Sequence, residues 1–139
     1  MEMIYLELYE FHQFVGNLIM FCQCIEHDIK LIYAKMLKGE DSINYISVER
    51  LTLGVVIKKL KHLDYSDEEH WFSESDYSLL ERIANIRNFW AHSAYVDFVY
   101  SGADFNLKFG KVSKRLLKDF SRLEKLHKNI ESIRIHHYI

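Results

Sequence analysis

The sequence predicts an all-α fold, a bundle of four main helices, and three observations carry that expectation. Proline is absent from all 139 residues, which removes the strongest helix breaker. Apolar residues recur at alternating spacings of three and four over long stretches, the signature of helices with one buried face. A hydrophobic fraction of 49% is ordinary for a folded soluble chain, and at 16.7 kDa one domain over residues 1–139 with one core is the simplest organisation.

The first helix is marked by Leu8, Phe11, Val15, Leu18, Cys22, Ile25, Ile29, Ile32 and Met36, and Gly39 ends it. Phe14 and Phe21 sit on a flank of that stripe, so the helix calls for a second partner helix or a second subunit. After the polar break at Gly39–Ser42, Ser47 is the expected cap of a second helix carrying Leu53, Val56, Leu60 and Leu63, with Gly54 allowing close backbone packing. An acidic connection from Asp64 to Trp71 follows, and Ser73 or Ser75 caps the third helix. That helix buries Leu79, Ile83, Ile86 and Trp90 and is expected to end soon after His92. Between Val96 and Gly110 a Ser-Gly turn flanked by aromatics predicts an extended loop or a small hairpin. The fourth helix is expected from about Ser113, with Leu116, Phe120, Leu123, Leu126, Ile130 and Ile133 inward.

The longest purely apolar run, Leu18–Cys22, is far short of the roughly 20 residues that span a bilayer, and Met1–Ile4 lacks the basic start of a secretory signal. A cytoplasmic protein without membrane contact is the expectation. Cys22 and Cys24, two apart on a helix, point about 200° apart and cannot easily bridge or share a metal, which favours buried structural thiols. The net charge of −2 argues against indiscriminate nucleic-acid binding. The charge is unevenly spread: from Lys111 to Ile139 eight basic residues meet three acids, a local balance of +5, which leaves −7 for the rest. Lys114, Arg115, Lys118 and Arg122 are therefore candidate RNA-binding residues, although a solvated helix face is the commoner meaning of such a stripe.

Candidate chemistry concentrates at Ile86-Arg87-Asn88-Phe89-Trp90-Ala91-His92. On a regular helix Glu81, Asn85, Asn88, His92 and Tyr95 fall opposite the buried stripe, and Arg87 lies about 70° from the core direction, at its edge. Asn88 and His92 are four apart, so the amide can orient the imidazole. Arginine supplies permanently charged donors to phosphoryl oxygens and histidine exchanges a proton near neutral pH, so the pair suits phosphoryl chemistry on RNA without a metal or other cofactor. One histidine is too few for both proton transfers, and a two-fold homodimer with a composite site would supply two. By spacing alone, an arginine in a surface ion pair and an exposed histidine are the commoner explanation.

The Arg-polar-x-x-x-His pattern of Arg87, Asn88 and His92, in a late helix of a small all-α bundle, resembles the signature of HEPN domains. The resemblance implies a homodimer with the motif in its interface cleft and, in active members, an endoribonuclease that serves as a toxin or phage-defence effector. Arg87 and His92 correspond to the catalytic residues and Asn88 to the polar position, with an antitoxin or regulatory protein as a further partner. The toxin members paired with nucleotidyltransferase antitoxins carry a tyrosine two residues after the histidine; here that place holds Ala94, and Tyr95 follows. Non-catalytic members that bind nucleotide, RNA or a partner protein give the alternative function.

Glu124-x-x-His127 has the spacing used in di-iron bundles, but no second Glu-x-x-His occurs, and His127 is expected to border the core. Glu26 on the first helix is a candidate supporting carboxylate for Arg87 or His92. His136 and His137 belong to a basic tail, and Phe98, Tyr100 and Phe105 either stack on RNA bases or, more commonly, pack over the bundle end. No phosphate-binding glycine loop, zinc-type cysteine spacing or serine-hydrolase elbow is present.

Overall fold

A computed structural model of the protein describes residues 6–139, apart from the side chain of Ser42, and the Met1–Ile4 segment considered above lies outside the described residues. The fold is all-α, with no strand among the described residues. Among the described residues six α-helices follow one another: α1 (Leu8–Met36), α2 (Asp41–Glu49), α3 (Leu53–Asp64), α4 (Glu74–Asn88), α5 (Ala94–Val99) and α6 (Phe105–His136). No helix among the described residues is long and apolar enough to cross a membrane.

Several expected boundaries move, each for a local reason. Ser47 lies inside α2, and the cap of the next helix is Thr52, whose hydroxyl accepts from the Val55 N–H. Gly54 does not serve close packing, since a Cβ there would meet no atom within 4 Å. Ser73 does cap α4: its hydroxyl accepts from the Asp76 N–H while the Asp76 carboxylate accepts from the Ser73 N–H, a reciprocal capping box. Neither the expected extended loop nor the hairpin forms between Val96 and Gly110. Their place is taken by α5, a single 3₁₀ turn at Gly102–Asp104, and a first turn of α6 that begins eight residues before Ser113. Gly102, at φ +58, supplies the left-handed residue of that turn.

The chain divides into two compact units, one of Met1–Cys22 with Ala84–Lys125 and the other of Gln23–Ile83 with Leu126–Ile139. In the first unit Phe11 is fully buried, and its ring meets those of Tyr95, Phe98 and Phe109 at centroid distances of 5.4, 5.3 and 5.2 Å. The first two are edge-on and the third is tilted, and such ring pairs add to the burial of large apolar surface, worth roughly 0.5–1.5 kcal/mol per pair. Phe14 and Phe21 both pack on Phe120 of α6, so the flank that called for a further partner is covered within the chain.

The second unit is organised around Asp64, a carboxylate only 2% exposed at the end of α3. Its oxygens accept from the backbone N–H groups of Trp71 and Phe72 and from the Tyr77 hydroxyl, at 2.7, 3.1 and 2.7 Å. The acidic connection is therefore folded over one buried carboxylate, which ties it to α4. Burial and the hydrogen bond to Asp64 push the Tyr77 hydroxyl far above its ordinary pKa.

Candidate functional site

Helix α4 does not end after His92. It passes through one wide turn, Phe89–Ser93, closed by an i→i+5 hydrogen bond from the Ala94 N–H to the Phe89 carbonyl, and continues as α5. The cause is visible in the apolar residues. Ile86, Trp90, Ala94 and Phe98 are all buried at a strict spacing of four, which on a regular helix would drift by about 40° per step, or about 120° over three steps. The extra residue taken up by the wide turn offsets most of that drift and keeps all four on the core side.

The same turn acts on the polar residues. On a regular helix Arg87 and His92, five apart, would diverge by about 140°. A turn closed by i→i+5 bonds takes back part of that angle, because residues five apart then stand one above the other. Arg87 is half-buried; Asn88 and His92 are exposed. No hydrogen bond joins Asn88 to His92 among the described residues, so the expected orientation of the imidazole by the amide is not realised.

Tyr95 departs from the expected polar face. It is half-buried, its ring stacks on His12 at 5.3 Å, and its hydroxyl shares a 2.7 Å hydrogen bond with His12 Nδ1. Burial raises the pKa of this tyrosine. No motif in the sequence marks His12 as part of this contact. Its position beside Phe11 placed it at the edge of the buried stripe, but nothing local signalled a partner 83 residues away.

The basic stripe of α6 and the motif belong to the same unit. Lys114, Arg115, Lys118 and Arg122 are all exposed. Arg115 lays its guanidinium over the Phe89 ring, 3.5 Å from the centroid, and its Nε stands 3.8 Å from Asp119 Oδ2. That oxygen, on a carboxylate 8% exposed, also accepts from Trp90 Nε1 at 2.9 Å. Two consecutive aromatics of the motif are thus held by two residues of α6 four apart. Glu26 lies in the other unit, half-buried.

The remaining aromatic candidates divide. Phe98 is buried and Phe105 stacks on Phe109 at 5.7 Å, so both pack rather than face solvent, whereas Tyr100 is 82% exposed. A cleft of about 1120 Å³ in the second unit is lined by Tyr33, Lys58, Lys61 and His62 among others, and no motif residue lines it. No protein-family model matches the chain, and searches of curated proteins and of solved structures return no match.

Proposed function

We propose that this chain is a HEPN-type endoribonuclease that acts as a homodimer and cleaves RNA without a metal. The 2′-hydroxyl attacks the adjacent phosphorus, the bond to the 5′-oxygen breaks, and a 2′,3′-cyclic phosphate remains. His92 takes the 2′-hydroxyl proton or returns one to the leaving oxygen, and Arg87 neutralises charge that builds on the phosphorane oxygens. The observation that carries this is the stacking of Arg115 on Phe89, which joins the basic face of α6 to the helix that bears Arg87 and His92. Lys114, Arg115, Lys118 and Arg122 then hold the phosphate backbone, with Asn88 and Tyr95 supporting the motif from the same unit. Val96 and Val99 of α5, with Tyr100 at its end, form an exposed face just beyond the motif that suits contact with a second copy of the chain. A cytoplasmic toxin or phage-defence effector, held in check by an antitoxin or regulatory protein, is the setting in which such an activity fits.

A non-catalytic HEPN module that binds RNA, nucleotide or a partner protein is the second reading, favoured by the lack of any hydrogen bond that orients the exposed His92 ring among the described residues. Incubation of purified protein with RNA in EDTA separates the two. Cleavage that is lost in both Arg87→Ala and His92→Ala, with unchanged circular dichroism, supports the nuclease, and mixing the two inactive variants restores part of the activity if the site is composite. RNA binding with no cleavage of several substrates supports the module, and undiminished cleavage by both variants overturns the site.

A further inference from the structure

The second unit holds a cluster that the nuclease chemistry does not use. Asp28, His127 and Glu131 each present a ligand atom, and these atoms lie within 4.8 Å of one another. Cys24 and His27 line the same cleft, of about 420 Å³. The pattern behind it is two pairs of residues four apart, each pair sharing one helix face: Cys24 with Asp28 on α1, and His127 with Glu131 on α6. The spacings considered in the sequence, Cys22 to Cys24 and Glu124 to His127, are not the ones that matter.

Asp28, with a side chain 6% exposed, and Glu131 both accept from one nitrogen of Arg134, Nη1, at 3.2 and 3.1 Å. Two carboxylates thus share one guanidinium. Arg134 is itself poorly served: its Nε is buried with no acceptor among the described residues. Its side chain is 27% exposed, so the long stem has a route to solvent. His27 Nδ1, 3.2 Å from Asp28 Oδ1, stands where a neighbour would orient a liganding carboxylate.

We propose that Cys24, Asp28, His127 and Glu131 bind a divalent transition metal of the zinc class, and that Arg134 occupies the carboxylates until the metal displaces it. A thiolate, an imidazole and two carboxylates match the donors zinc takes, and the thiolate selects against magnesium and calcium. Ligand atoms of a tetrahedral zinc site stand about 3.4 Å apart, so small side-chain rotations bring Asp28, His127 and Glu131 to that spacing, and Cys24 turns in from the wall of the same cleft. Binding releases the Cys24 thiol proton to solvent.

Cobalt(II) is the probe, titrated into metal-free protein and read by absorption. The expected result is one equivalent bound, with the visible bands of four-coordinate cobalt and a thiolate charge-transfer band. Cys24→Ser removes the charge-transfer band, His127→Ala and Glu131→Gln each weaken binding about 10–100-fold, and Arg134→Met tightens it. Glu131 is 43% exposed, so the glutamine variant keeps the fold. Absence of the cobalt bands overturns the site, as does binding kept in Glu131→Gln but lost in a His136→Ala/His137→Ala variant. Binding no tighter in Arg134→Met overturns the displacement of Arg134. The readout is independent of RNA cleavage, so it stands apart from the nuclease proposal.

Discussion

The indole of Trp90 donates its Nε1 hydrogen to Asp119 Oδ2 at 2.9 Å, so the motif helix is fastened to α6 by a buried aromatic and a buried carboxylate. Hydrogen bonds to charged groups contribute about 1.5–3 kcal/mol. Asp119→Ala is expected to lower stability by about that amount in urea unfolding, since the buried indole N–H loses its acceptor. An unchanged midpoint would contradict the role given to this bond.

The Arg115 guanidinium over Phe89 is a planar contact that lysine does not reproduce. Arg115→Lys keeps the charge and loses the stack, while Arg115→Ala loses both. RNA affinity, measured against salt concentration, should fall in both variants, and the salt slope should flatten by about one unit only in the alanine variant. Equal slopes in all three proteins would remove Arg115 from the phosphate contacts.

Deletion of Ser93, exposed in the wide turn, removes the residue that the turn takes up. A continuous α-helix then spans α4 and α5 with Trp90 and Ala94 still inward, and Arg87 and His92 return to about 140° apart. The expected outcome is a folded protein with unchanged helical circular dichroism and at least about tenfold slower RNA cleavage, the loss of oriented catalytic groups. Full activity in the deletion variant would show that the wide turn serves packing alone.

Tyr77→Phe removes one donor from Asp64 and is expected to cost about 1.5–3 kcal/mol. Asp64→Ala leaves the Trp71 and Phe72 N–H groups and the Tyr77 hydroxyl without their acceptor and should cost more. The double variant should cost less than the two single losses combined, because both remove the same contact. Strict additivity in chemical denaturation would contradict the shared network.

His137 stacks on Trp71 with centroids 3.6 Å apart and planes 6° from parallel. Desolvation, with a smaller effect from neighbouring His136, lowers its pKa from the ordinary 6.5. A histidine with a lowered folded-state pKa contributes stability that is complete above the unfolded value and is lost as pH falls below 6.5. The imidazole resonance of His137 should therefore titrate with a midpoint below 6.5 and return to about 6.5 in Trp71→Ala. A midpoint at or above 6.5 in the parent would refute the stacking environment.

The apolar spacing of α1 and the reciprocal cap at Ser73 were legible in the sequence because both depend on residues within a few positions of one another. The start of α6 was not, since its first turns pack Phe105 and Phe109 against Phe98 rather than following the stripe that begins at Leu116. The four-residue spacing of Ile86, Trp90, Ala94 and Phe98 was present in the sequence and does signal a wide turn. A regular helix puts Tyr95 on the polar face, whereas in the structure it turns in against His12.

By itself, then, the sequence determined an all-α chain, where most helices run, and the close succession of Arg87, Asn88 and His92. Local periodicity and capping carry that information, since each rests on geometry repeated every few residues. Tertiary structure alone decided that Tyr95 meets His12, that Arg115 covers Phe89, and that Cys24 and Asp28 line one cleft with His127 and Glu131. Each of these pairs residues on different helices. Which face of one helix meets another is set by burial of whole apolar stripes against one another, and that cannot be read from the spacing within a single element.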